Sequence, residues 1–210
     1  MLISHALILF TLTAALLTIT PGLDTALVMS TSMRRGGRSG WVAGLGVCVG
    51  CLLWGLLVAL GLGALLEASG KLYQLLKMAG ALYLIYIAIQ LWRRKESTAD
   101  VESTDSGLVQ QQSDMQLFRQ GLLTNLLNPK IGIFYVTFLP QFIPPHVNVT
   151  AFSVLLASIH AIEGMLWFGL LAMLVGQSHK KLDMQRWQKP VDKLTAVVFM
   201  LFGGKLLWDK

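Results

Sequence analysis

The sequence predicts an all-α integral membrane protein: six transmembrane helices arranged as two inverted repeats of three, the first helix of each half broken. Three observations predict it. The 210-residue chain is 54% hydrophobic and only 13% charged, with a mean hydropathy of +0.62, a balance that suits lipid and not a soluble core. Six apolar runs are long enough to cross about 30 Å of hydrocarbon at 1.5 Å per residue. Prolines interrupt the first run of each half, at Thr20-Pro21-Gly22 and at Asn128-Pro129.

The spans fall near 3–33, 41–66, 72–92, 121–143, 150–177 and 190–208, in a single membrane domain over 1–210. Residues 1–92 form the first half and 121–210 the second. The stretch 93–120, rich in Ser, Asp, Glu and Gln without apolar periodicity, reads as a flexible cytoplasmic linker. The first twenty residues lack a basic n-region and offer a poor cleavage site, so they read as part of a span rather than a signal peptide.

Basic residues set the orientation. Arg34, Arg35 and Arg38 follow the first span; Arg93, Arg94, Lys95 and Arg119 follow the third; Lys180, Lys181, Arg186, Lys189 and Lys193 lie between the fifth and sixth. These twelve of the seventeen basic residues share one side, while the other has Lys71, Lys77, Lys205 and Lys210. The rich side is cytoplasmic by the positive-inside rule, which puts both termini in the periplasm. Trp41, Trp92, Trp187 and Trp208 fall near span ends, as interfacial anchors do. The formal charge of +6 therefore reads as a topology signal and not as a nucleic-acid surface.

The breaks are the candidate site. Pro21 removes a backbone donor and clashes with the preceding turn. Thr20 is a fitting N-cap and Pro21 a fitting first residue for a second half-helix, and Asn128-Pro129 repeats the device. Interruptions at matching positions of two halves point to a transporter's binding site. By depth, Asp24 lies about 13 Å from the cytoplasmic end of its span and Lys130 at a similar height in the other half. Glu163 sits near the centre of the fifth span. Charged groups at that depth are costly and face protein or water.

Two readings of Asp24 and Lys130 stand open: an ion pair that locks the halves, or a site for a zwitterion. In the second, a substrate carboxylate meets the helix ends at Pro21 and Pro129 with Lys130, and its ammonium meets Asp24 or Glu163. Gly22 opens the turn, while Thr25, Asn125 and Asn128 supply directed hydrogen bonds. His160 and Glu163, three apart, share a helix face. That pair is suited to carry a proton near neutral pH, with Glu163 as the carrier, unless His160 merely satisfies a backbone group.

Cys48 and Cys51 make a C-x-x-C inside the second span. Gly40, Gly44, Gly46 and Gly50 surround them at small-xxx-small spacing, so the cysteines read as packing residues. This glycine face packs a helix closely, within the subunit or across a homodimer. No residue grouping has metal-site spacing, no phosphate-binding glycine loop is present, and no cofactor is expected.

Thr20-Pro21-Gly22-Leu23-Asp24-Thr25, followed by Arg34-Arg35-Gly36-Gly37-Arg38-Ser39-Gly40, resembles the opening signature of the lysine-exporter superfamily, most nearly its homoserine/threonine resistance branch (LysE/RhtB). The run from Gly121 through Asn125, Asn128 and Pro129 to Lys130 resembles the second signature of that family. Phe138-Leu139-Pro140-Gln141-Phe142 and Gly80-Ala81-Leu82-Tyr83-Leu84 are similar to further family segments, and Glu163 falls where members carry an acidic residue. The resemblance implies a non-enzymatic, proton-driven exporter of amino acids or their derivatives in the bacterial inner membrane. The position of Leu23 is commonly proline in the family, which leaves the break at Pro21 intact. A membrane thiol–disulfide electron carrier shares the six-span plan but needs a cysteine in each half, and residues 52–210 have none. A non-transporting scaffold has no use for Asp24, Lys130 and Glu163 at one depth.

Overall fold

The computed structural model describes residues 2–68 and 112–177 continuously, with isolated positions between 75 and 93 and between 193 and 208. Every regular element among the described residues is helical. The predicted third and sixth spans and most of the linker lie outside the continuous stretches; the isolated positions within those two spans are helical.

The first span is two helices, α1 (Ile3–Ile19) and α2 (Leu23–Arg35), bent by 51° at the break. In α1, Ala6, Phe10, Thr13, Ala14 and Leu17 are buried at helical spacing, while Ile8, Leu9 and Leu12 point outward. A helix apolar on every side fits a lipid-facing span. Its hydroxyls are satisfied internally: Thr13 Oγ1 donates to the Leu9 carbonyl at 2.7 Å and Thr18 Oγ1 to Ala14 at 2.8 Å.

The break differs in detail from the sequence expectation. Thr20 does not cap α2. It closes α1, its N–H donating to Leu16 O at 3.0 Å and its hydroxyl to the same carbonyl at 2.6 Å. Its extended backbone is what a residue preceding proline adopts. Gly22 is the N-cap of α2, and its carbonyl accepts the first helical bond from Ala26 N at 2.9 Å.

Gly36 (φ +87°) turns the chain into α3 (Gly37–Ala68), a left-handed conformation that glycine adopts without strain. Residues 37–61 of α3 are long and apolar enough to cross a membrane. Among the described residues this helix packs more extensively against its neighbours than any other, and its glycines are where they come closest. A Cβ on Gly44 would lie 2.9 Å from Phe168, and Gly40 faces Ser32 and Val28 of α2. Gly46 faces the backbone of Phe118 and Leu122, and Gly50 faces Asn125. This face is therefore filled within the subunit, which takes it away from the homodimer packing considered from sequence.

The fourth helix, α4 (Asp114–Leu126), begins seven residues before the predicted span, inside the stretch read as linker. A capping box starts it: Ser113 Oγ accepts from Gln116 N at 3.3 Å, and Gln116 Oε1 accepts from Ser113 N at 2.8 Å. After Leu127, Asn128 Oδ1 accepts from Lys130 N at 3.1 Å and caps α5 (Pro129–Ile133), with Pro129 in its first turn as predicted. A π-helical turn (Phe134–Phe138) and a 3-10 turn (Leu139–Phe142) carry the span onward, and the unit bends by 53° at the break. Asn148 Oδ1 then accepts from Ala151 N at 2.8 Å, opening α6 (Val149–Gln177).

Contacts fix the running directions. Along α3, Gly37, Gly44, Cys48 and Gly55 approach Ala172, Phe168, Gly164 and Ala157 in turn, so α6 runs antiparallel to α3. Gly46, Gly50 and Trp54 meet Phe118, Asn125 and Gly132, so α4 and α5 run parallel to it. The two broken spans consequently run in opposite directions. They meet through Phe10 against Phe134 and Phe142, with ring centroids 5.9 and 5.5 Å apart. The arginines 34, 35, 38 and 119 fall at one end, where Arg38 pairs with Asp114 at 2.6 Å.

Candidate functional site

The two breaks face each other and their polar groups converge. Asp24, in the first turn of α2, is buried at 6% exposure, and Asn125, in the last turn of α4, is fully buried. Asn125 Nδ2 donates to Asp24 Oδ2 at 3.0 Å and reaches Cys51 Sγ at 3.5 Å. Asp24 Oδ1 is buried and makes no hydrogen bond of good geometry, although the Asn128 side-chain amide lies near enough to the carboxylate to act on it as a donor and Lys130 lies within electrostatic reach.

Lys130 takes a role the sequence did not announce. Its Nζ donates to Leu17 O at 3.0 Å and Thr20 O at 2.8 Å. These carbonyls end α1, where the helix has exhausted its own donors and carries partial negative charge. Lys130 passes over Gly22, whose hypothetical Cβ would lie 3.6 Å from Nζ. Asp24 forms no ion pair among the described residues, so the locking pair considered above is replaced by a cation capping a half-helix from the opposite half.

Leu17, Thr18, Thr20, Gly22, Asp24, Thr25, Asn128, Lys130 and His160 line one cavity of about 20 Å³ between the breaks. That volume accommodates about one water and is too small for an amino acid. Of the sequence candidates, the structure brings together Thr20, Gly22, Asp24, Thr25, Asn128, Lys130 and His160 on the wall, with Asn125 behind Asp24. Pro21 and Pro129 shape the breaks without lining the cavity. His160 Nδ1 pairs with Tyr135 Oη at 3.0 Å, both buried. The partner of His160 is thus a side chain on the π-helical turn, where the sequence reading offered a backbone group or Glu163.

Glu163 stands apart from this wall. Both its carboxylate oxygens are covered and lack a hydrogen-bond partner, as does Trp167 Nε1 one turn further along α6. Cys48 and Cys51 are buried free thiols that do line the cavity, with Val47, Ile131, Gly164 and Phe168. From sequence the cysteines read as packing residues, with a thiol–disulfide carrier as the alternative use. The usable signal was their place on the same helix as the glycine face, one or two turns from Gly44. Among the described residues no His, Cys, Asp or Glu cluster could hold a metal.

A polytopic membrane protein whose interrupted helices enclose a buried carboxylate and an ammonium has the makings of a translocator. The LysE type translocator family profile matches residues 15–210, and the chain belongs to that family. It is 33% identical over 205 residues to the uncharacterized membrane protein YrhP of Bacillus subtilis, covering 96% of this chain and 98% of that protein. It is 32% identical to the homoserine/homoserine lactone efflux protein of Salmonella typhi, covering 94% and 93%. It is 30% identical to the threonine efflux protein of Escherichia coli K12, covering 89% and 90%. No solved structure matches the chain.

Proposed function

We propose that this protein exports neutral amino acids or their close derivatives across the bacterial inner membrane. The observation that carries this reading is the buried Asp24 Oδ1, without a hydrogen bond of good geometry, on a wall shared with Lys130. A carboxylate and an ammonium match the two charges of a zwitterion, the substrate's ammonium on Asp24 and its carboxylate on Lys130 and the Asn128 side-chain amide. Asp24 is the one carboxylate among the described lining residues, so a basic or acidic side chain would bring an unbalanced charge into a low-dielectric site. The names of the efflux relatives, homoserine and threonine, agree with this choice.

Proton antiport supplies the driving force in this reading, with Glu163 as the carrier. Its unpartnered oxygens inside a membrane helix call for a proton when nothing else neutralises them. His160 serves the cavity wall through Tyr135. The opposite directions of the two broken spans support an inverted-repeat plan, and the clustered arginines support a cytoplasmic Arg38 end with both termini periplasmic.

The test feeds cells each neutral amino acid as a dipeptide and follows intracellular accumulation with and without the protein. The protein should lower accumulation of homoserine or threonine, and Asp24→Asn should abolish that effect at equal membrane abundance. Unaltered accumulation of every neutral amino acid would refute the reading. Glu163→Gln, in proteoliposomes, should lose uphill transport driven by a pH gradient and retain downhill exchange. Uphill transport at the wild-type rate would remove Glu163 from the coupling step.

A further inference from the structure

We propose that Asn125, seated in a notch that Gly50 provides, is the positioning residue that aims Asp24 and leaves a single carboxylate oxygen for the substrate's ammonium. The proposal rests on Asp24 being the ammonium contact.

Asn125 is held on three sides. Its Nδ2 donates to Asp24 Oδ2 at 3.0 Å and reaches Cys51 Sγ at 3.5 Å, and its backbone carbonyl accepts from Trp54 Nε1 at 3.4 Å. Beneath it, Gly50 leaves no spare space: a Cβ there would fall 2.5 Å from Asn125 Oδ1 and 2.9 Å from its Cβ and Cγ. The notch lies on α3, the amide on α4 and the carboxylate on α2. One hydrogen bond therefore carries the position of the second broken span to the charged group of the first. A buried hydrogen bond to an ionised acceptor is strong and directional, so Oδ2 is committed and the carboxylate cannot turn freely.

Selectivity follows from the remaining oxygen. Asp24 Oδ1 makes no hydrogen bond of good geometry and suits a compact ammonium, which needs one good acceptor. A guanidinium binds a carboxylate best through both oxygens at once, and Asn125 already holds one of them. The device thus favours amines over guanidinium compounds.

The test uses the full chain in proteoliposomes with radiolabelled L-threonine and L-homoserine as probes. Asn125→Ala should raise the half-saturating concentration by about tenfold or more, the loss implied by one charge-assisted hydrogen bond, with maximal rate largely kept. Gly50→Ala should do the same, and Gly50→Ala combined with Asn125→Gly should be no worse than Asn125→Gly alone, because the Cβ and amide that a methyl at position 50 would strike are then both gone. Asn125→Ser replaces Asn125→Ala if the latter does not yield monodisperse protein. Additive losses in the double variant, or a fall in maximal rate with unchanged half-saturation, overturn the positioning role while leaving the exporter reading standing. Wild-type transport by Asp24→Asn overturns the ammonium contact and this proposal together.

Discussion

Lys130 shows how much one side chain holds here. Its ammonium satisfies two carbonyls at the end of α1 from across the molecule, and in the proposed cycle a substrate carboxylate competes for it. Lys130→Met leaves those carbonyls facing an apolar group, and we expect a loss of about 2–4 kcal/mol in stability together with loss of transport. Lys130→Arg, which keeps the charge, should recover most of the stability and little of the transport, since a planar fork does not reproduce the ammonium's contacts. Thermal unfolding of purified protein beside a transport assay separates the two effects; equal recovery of both would contradict the dual role. The sequence showed that Lys130 must face protein or water, because a cation at that depth is costly against lipid. It did not show which partner, since Asp24 and the carbonyls of a broken helix are equally good answers before the backbone path is known. Cys48 and Cys51 were obscured for a related reason: a small apolar residue reads alike whether it packs a helix or walls a cavity.

At the level of elements, the proline breaks were legible and the caps less so. Pro21 and Pro129 act through covalent geometry that no context reverses, and the bends of 51° and 53° fall at those positions. Thr20 was misread because Thr before Pro suits both an N-cap and a C-terminal closure. The bond to Leu16 O decides between them, and it forms because the hydroxyl can reach back one turn. The start of α4 was missed for want of apolar periodicity, although Ser113-Asp114-Met115-Gln116 carries a capping-box spacing. Ser113→Ala should therefore destabilise the start of α4 by about 0.5–2 kcal/mol, read as faster amide exchange over residues 114–118; unchanged exchange there would show the box to be idle. A sharper element-scale expectation concerns Gly46, which faces the Phe118 carbonyl and the Leu122 N–H. Gly46→Leu must separate α3 from α4, and the expected result is loss of folded protein in detergent extracts. Normal yield and thermal stability would mean the two helices are not this close.

Across the whole molecule, the small cavity and the aromatic cluster beside it bear on how the proposed exporter would open. Phe10 packs against Phe134 and Phe142, and Phe138 stacks on Phe134 at 5.1 Å and lies 5.0 Å from Phe142. All four are buried, and they lie on the side of the breaks away from the arginine-rich end. Three of them stand on the π-helical and 3-10 turns that follow Pro129, irregular helix of the kind that recurs at functional sites. The cavity holds about one water, so in the proposed cycle a zwitterion gains room when this packing parts on one side or the arginine-rich end parts on the other. Alternating access requires both movements in turn. Tying α1 to the second broken span at the cluster should therefore stop the cycle without harming the fold. With Cys48 and Cys51 replaced by alanine, cysteines introduced at Phe10 and Phe142 and joined by a short reducible bifunctional reagent should abolish export, and reduction should restore it. Undiminished export by fully cross-linked protein would show that the substrate passes elsewhere, and the pathway between the two breaks would have to be abandoned.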